Sequence, residues 1–280
     1  MERILITDLH SKIGEEVLIN AIVNVARQQG KMAFFDFRDR SGIIQGVVFG
    51  KPEVLEIAKK LSQEYAVAIT GVVNQRPEKM INSGVQNGDI ELEITSIEIL
   101  NPAEALPFDT DSSLTIETLL DYRPLTLRRP QERAIFKVQH EILVAYRQFL
   151  IENGFTEFQA PKLVGGDAEG GSEVFKVKYF KGVEASLATS PQLYKQIMVG
   201  VFERVFAVGT TFRAEKSATT RHLSEISMLD LEMGFIKDHT DVIELVTRLM
   251  RSIVNHINSV CVEEIAFLNT PQALAPEKFP

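Results

Sequence analysis

The chain has one cysteine, Cys261, and no tryptophan in 280 residues. A lone thiol can neither close an internal disulfide nor supply a thiolate cluster. That excludes a disulfide-stapled scaffold and a zinc ribbon, and makes a reducing, cytoplasmic setting the expectation. No apolar run approaches the ~18 residues needed to span a bilayer, and residues 1–8 lack a signal peptide's unbroken apolar centre, so no membrane association is expected. Excess basic charge is missing as well. Against 38 Asp and Glu stand 30 Lys and Arg, a net charge of −8 that argues against broad electrostatic capture of nucleic acid. The histidines offer no metal-ligand spacing, with His10, His140, His239 and His256 each isolated. Neither the glycine spacing of a phosphate loop nor a Ser/His/Asp constellation is present.

What remains is an ordinary globular composition, 45% hydrophobic and 24% charged, with enough apolar side chains for a real core. A chain of this length is expected to form two domains. In the first hundred residues, Val17, Ile19, Ala21, Val23 and Val25 alternate as in a strand, and Met32 to Phe37, Ile43 to Phe49, Tyr65 to Val73 and Asp89 to Ile99 supply four more. Pro52 to Leu61 has helical spacing and a proline at its first turn. Five strands with a helix between the third and fourth match a small OB-type barrel, a fold that binds oligonucleotides through strand faces and loops. The plainer alternative is a barrel used only for packing or subunit contact.

Residues 101–120 carry four acids and no base and include Pro102 and Pro107, which marks a hinge. The division is therefore 1–103 for the barrel, 104–123 for the linker and 124–280 for a second domain. There, Ile135, Val138, Ile142, Ala145 and Phe149 predict a core-facing helix, Phe155 to Ala160 a strand closed by Pro161, and Val174 to Tyr179, Val205 to Thr211 and Ile226 to Phe235 further strands. Pro191 to Val199 and Asp241 to Ile257 have helical spacing. The fold class expected is α+β, an antiparallel sheet with helices following the barrel.

The densest polar cluster runs from Phe212 to Glu225 between two strand-like segments and reads as a long hairpin. Arg213 and Glu215 share one strand face, and Asp230 and Glu232 share one on the return. A guanidinium there can grip a phosphate with two hydrogen bonds, and Arg221 with His222 can hold a polyphosphate tail. A solvated ladder of cross-strand ion pairs fits the same spacing equally well. Residues 165–172 contain four glycines within 165–171 and read as a surface loop. Ser190-Pro191 opens a helix that sets Gln192 and Lys195 on one face, either as ordinary capping or as a reader of a small zwitterion.

Together these segments resemble the class II aminoacyl-tRNA synthetases of the aspartate, asparagine and lysine subgroup, most closely the archaeal-type aspartyl enzymes, over essentially the whole chain. Gly154-Phe155-Thr156-Glu157-Phe158-Gln159-Ala160-Pro161-Lys162-Leu163 resembles the family's first motif; Phe212-Arg213-Ala214-Glu215, Arg221-His222 and Asp230-Leu231-Glu232 resemble its second. Glu169-Gly170-Gly171-Ser172 and Ser190-Pro191-Gln192-Leu193-Tyr194-Lys195-Gln196 fall in the matching order.

The resemblance implies ATP and magnesium as cofactors, L-aspartate as substrate, and tRNA(Asp) as partner, with tRNA(Asn) left open. It implies a homodimer with Pro161 at its interface. Arg213 would be catalytic at the ATP α-phosphate, Glu215 would meet the adenine or the tRNA end, and Arg221 and His222 the outer phosphates. Gln192 and Asp230 would hold the substrate ammonium, Lys195 its side-chain carboxylate, and Glu169 would lie in the loop closing over it. Arg27, Phe34 and Gln45 would read the anticodon, in keeping with aromatic stacking on OB folds. Ile226 stands where the family has an adenine-stacking aromatic, and Ala21-Ile22 replaces a Gly-Trp in the barrel. The third motif, with its metal carboxylates, is expected beyond residue 280, so the chain alone is expected to be inactive. An asparaginyl enzyme and a non-catalytic tRNA-binding relative are the alternatives.

Overall fold

A computed structural model describes residues 1–108, 112–166, 173–217, 219 and 222–270, and divides the chain into two compact units, Met1–Leu114 and Thr115–Pro280. No helix among these residues is long and apolar enough to cross a membrane.

The first unit is a closed barrel of β1 (Glu16–Gln29), β2 (Met32–Arg38), β3 (Ile43–Phe49), β4 (Ala66–Gln75) and β5 (Ile90–Asn101) in the order β1-β2-β3-β5-β4. Every pairing is antiparallel except β3 with β5, and closure leaves no free sheet edge. Helix α1 (Pro52–Ala58) packs Val54, Leu55 and Ile57 against the barrel's core. Val17, Ile19, Ala21 and Val23 point inward as their alternation predicts, but Val25 is only half-buried. A bulge between Val23 and Val25 inserts one residue, and since side chains alternate with period two, the rest of β1 changes face. Gly46 sits where a Cβ would stand 2.5 Å from the Phe37 ring, so the strand needs glycine to pass that buried aromatic.

The second unit opens with the short helices α2 (Ile116–Asp121) and α3 (Arg123–Thr126), the first lying inside the stretch read as linker. Then come α4 (Pro130–Glu152), β6 (Thr156–Glu157), β7 (Leu163–Val164), β8 (Lys176–Lys178), β9 (Glu184–Leu187), α5 (Gln192–Phe202), β10 (Arg204–Phe212), β11 (Glu225–Met233), α6 (His239–Val260) and α7 (Val262–Phe267). One sheet has the order β11-β10-β6 and a smaller one β7-β9-β8. The first is not wholly antiparallel, because β6 runs parallel to β10 and is only two residues long, not the six expected.

Cross-strand register sorts the side chains of β10 and β11. Phe206, Val208, Leu231 and Met233 face Ala145, Tyr146 and Leu150 of α4 and Leu245, Leu249 and Ile253 of α6. Val205 and Ala207 face the other way, onto Phe158, Ala160 and the Met198 and Val199 side chains of α5. Helix α4 corrects one expectation: Ala145 is buried and Val138, Ile142 and Phe149 are half-buried as the spacing predicts, but Ile135 is 47% exposed and Phe136 50%, so the apolar spacing continues past the core that the described residues supply.

Candidate functional site

The β10–β11 face toward α5 carries the charged residues. Val205 pairs with Glu232, Ala207 with Asp230, Gly209 with Met228 and Thr211 with Ile226; the Arg213 N–H donating to the Ser224 carbonyl at 3.0 Å carries the ladder one step further. Directly opposed residues share a face. Glu232, Asp230, Met228, Ile226 and Arg213 therefore line one side of the sheet, in that order.

Beneath the start of this row lies Lys195, only 6% exposed. Its Nζ donates to Asp230 Oδ1 at 2.5 Å and stands 3.3 Å from Glu232 Oε2. Sequence spacing assigned Lys195 and Asp230 to separate elements, and the fold joins them because the first turn of α5 crosses the strands at that level. Burial of an ammonium is tolerable only with such partners. Ser190 and Pro191 are buried before α5, and Ser190 Oγ accepts the Gln192 N–H at 3.2 Å. A cavity of about 180 Å³ adjoins this turn, bounded by 164–166, Ala188, Ser190, Leu193 and Tyr194.

The remaining expected residues are more scattered. Glu215 is exposed, its N–H donating to the Arg213 carbonyl at 2.8 Å, and His222 is exposed with Nδ1 2.7 Å from Thr219 Oγ1. Pro161 is exposed. Glu169 and Arg221 lie outside the described residues. Two residues that the spacing did not single out also belong to this region. Lys162 lays its side chain along β10 so that a Cβ on Gly209 would meet Nζ at 2.7 Å; only the fold reveals this, since Lys162 and Gly209 are far apart in sequence. Tyr146, on the opposite side of the sheet, is buried with a hydroxyl that has no hydrogen-bond partner among the described residues. Burial first, then the Asp230 and Glu157 charges, push its phenol above the ordinary range.

Among the described residues no three His, Cys, Asp or Glu side chains come together as a metal site. Asp230 and Glu232, the two acids on the face, are held by Lys195, so the residues present do not form a magnesium site.

On the barrel, β1, β2 and β3 bring Arg27, Phe34 and Gln45 to one outer face. Arg27 opposes Phe34, Phe34 opposes Val47, and Asp36 opposes Gln45 in the next row. Arg27 Nη2 reaches Asp36 Oδ2 at 3.0 Å, and Gln45 Oε1 accepts from Arg76 Nη2 at 2.6 Å. The half-buried Phe34 ring thus lies between polar groups held by neighbours, a surface suited to stacking a base and bonding its edge.

Comparison with known proteins bears on both units. Residues 115–279 match the family described as tRNA synthetases class II (D, K and N), and residues 17–100 match the OB-fold nucleic acid binding domain. A relative from Archaeoglobus fulgidus named aspartate–tRNA(Asp/Asn) ligase is 38% identical over 274 residues, 95% of this chain and 62% of its own length. One of the same name from Deinococcus radiodurans is 39% identical over 284 residues, covering 100% of this chain and 62% of its own. Asparaginyl-tRNA synthetase from Pyrococcus horikoshii, solved with asparaginyl-adenylate, superposes with a TM-score of 0.85 at 32% identity over 95% of this chain and 60% of that one. The chain spans about three-fifths of the length of these relatives.

Proposed function

We infer, because this chain belongs to the class II tRNA synthetases of the D, K and N group, that it supplies the anticodon-binding barrel and the front part of the catalytic domain of an aspartate–tRNA ligase. The observation that carries this reading is the single sheet face with Arg213 at one end and the Lys195–Asp230–Glu232 cluster at the other. A carboxylate is already ionised at pH 7, so joining it to ATP needs alignment and charge neutralisation more than a general base. Asp230 and Gln192 receive the substrate ammonium. Lys195, shared with Asp230, meets the side-chain carboxylate. Arg213 stabilises charge at the α-phosphate, with Arg221 and His222 on the outer phosphates, Glu215 near the adenine or the tRNA end, and Glu169 in the closing loop. The barrel's Arg27, Phe34 and Gln45 read the anticodon of tRNA(Asp), and the Asp/Asn names of the relatives extend the proposal to tRNA(Asn). Dimerisation through α4 and Pro161 belongs to the same reading and is supported by the exposed apolar start of α4.

The test is aspartate-dependent exchange of pyrophosphate into ATP by the chain extended to the length of its relatives. Arg213→Lys keeps the charge but loses the two-pronged geometry, and should slow exchange by ~10² to 10³. Residues 1–280 alone should give no exchange. The superposition on an asparaginyl enzyme favours a second reading, and exchange driven by asparagine in place of aspartate would establish it.

A further inference from the structure

Lys162 is a cation that the proposed roles leave unused. Its carbonyl accepts the Ala188 N–H at 2.9 Å, and the Ala188 carbonyl in turn accepts the Phe212 N–H at 2.9 Å, which anchors its backbone beside the end of β10. From there the side chain runs back to Gly209, where an added Cβ would stand 2.7 Å from Nζ and 3.3 Å from Cε. Glycine at 209 is what lets the ammonium lie on the strand. Nζ has no hydrogen-bond or ion-pair partner among the described residues.

The register fixes what flanks this ammonium. Gly209 opposes Met228; the neighbouring pair on the same face is Ala207–Asp230 in one direction and Thr211–Ile226 in the other, with Arg213 beyond. Diagonal neighbours on one face of an antiparallel pair lie ~7–8 Å apart, which sets Gly209 against Asp230 at that spacing. Arg213 is four residues further along, about 13 Å at ~3.3 Å per residue. The ammonium therefore falls between the proposed ammonium site and the proposed α-phosphate site, nearer the first. In an α-amino acid being joined to a phosphate, the group between those two points is the α-carboxylate. Lys195 does not compete for it, being held at the far side of Asp230 by two carboxylates.

We propose that Lys162 binds the α-carboxylate of the amino-acid substrate and aligns it toward the α-phosphate. This rests on the ligase reading and adds to it a residue that recognises the part common to all amino acids. Titration calorimetry with L-aspartate, its α-amide and L-asparagine, on the chain extended to the length of its relatives, tests it. The wild type should bind the α-amide about tenfold to a hundredfold more weakly than aspartate, as for loss of a charged hydrogen bond. Lys162→Gln should bring aspartate down to the level of the α-amide while the aspartate-to-asparagine ratio stays unchanged. Gly209→Ala, which displaces Nζ without removing it, should move affinity the same way to a smaller extent, and thermal melts confirm that both variants are folded. An α-amide penalty that persists in folded Lys162→Gln overturns the proposal, and so does collapse of the aspartate-to-asparagine ratio, which would make Lys162 a side-chain reader. An extended wild-type chain that binds none of the three ligands counts against the ligase reading itself, a result distinct from equal binding by wild type and variants.

Discussion

The two units solve the burial problem in opposite ways. The barrel closes its sheet on itself and seals Phe35, Phe37, Ile19, Ile44, Ile69, Leu92 and Ile94 at 0% exposure. The second unit keeps its sheets at three strands and leaves Leu193, Ile197 and Val201 of α5 at 51%, 61% and 67% exposure, one helical turn apart on a single stripe. Closed sheets have no edge to satisfy and an interior of fixed volume, so the barrel is packed by its own residues alone. In the second unit, apolar side chains outnumber the places that these residues provide to bury them. Its polar face, by contrast, is tightly organised around a buried ammonium.

That difference predicts unequal sensitivity to truncation. Phe37→Ala removes a fully buried ring that stacks on Phe35 at 5.5 Å between centroids, and should destabilise the barrel by about 3–5 kcal/mol. Ile197→Ala removes an exposed side chain and should change stability by no more than ~0.5 kcal/mol. Denaturant titration followed by amide exchange in each unit separates the two. Equal losses would show that the α5 stripe is covered in solution.

Breaking the buried cluster comes next in size. Lys195→Met keeps volume but leaves Asp230 and Glu232 without their cation, on side chains 18% and 26% exposed. Removing one partner of a buried pair costs ~3–5 kcal/mol, and the partial exposure of both acids places the expected loss toward the lower end, about 3 kcal/mol. Lys195→Arg, which keeps the positive charge but changes the shape of the head group, should lose less than Lys195→Met. Melting curves of both variants and wild type give the answer, and equal losses in Lys195→Met and Lys195→Arg would mean that packing, not charge, holds α5 on the sheet.

How much of this was legible in the sequence differs between the units for a physical reason. Strand alternation and turn residues place four of the barrel's strands to within two residues, because the pattern depends on inside against outside, but the alternation in β1 stops at Val25, four residues short of the strand's end at Gln29. The bulge after Val23, a defect in period two, hides the continuation. In the second unit the long elements α4, α6, β10 and β11 were visible, as was the shared face of Asp230 and Glu232. The short strands β7 and β9 were not, since two to four residues carry no periodicity. Pairing of Lys195 with Asp230 and the approach of Lys162 to Gly209 depend on which helix and loop cross the sheet, and that is long-range information that local spacing does not hold.

On the barrel's polar surface the effect moves from stability to binding. Phe34→Ala should leave folding almost untouched, since the ring is only half-buried on the outer face, but weaken tRNA binding by ~1–3 kcal/mol, the range for one stacked base. Filter binding of tRNA(Asp) at fixed salt measures it. Unchanged affinity would take the barrel out of anticodon reading and leave its outer face with a packing role.

The smallest expected effect compares one ion pair from each unit. In the barrel, Arg38 Nη2 meets Glu64 Oε1 at 2.5 Å with side chains 15% and 5% exposed; in the second unit, His256 Nε2 meets Glu141 Oε2 at 2.8 Å with side chains 27% and 16% exposed, tying α6 to α4. The hydrogen bond from His256, and more weakly the charge of Lys137, hold the Glu141 carboxyl below its ordinary value of 4.5. A carboxyl depressed in the folded state stabilises the fold above the unfolded value, and the contribution is lost as pH falls through that value toward the folded one. Glu141→Gln should therefore cost less than ~1 kcal/mol at neutral pH, the scale of a partly exposed pair, and the gap from wild type should close progressively below about pH 4.5. Denaturant midpoints of both proteins between pH 3 and 7, about the range over which such a carboxyl titrates, measure that gap. A gap that widens toward acid would reverse the sign of the linkage and remove the His256 contact as its cause.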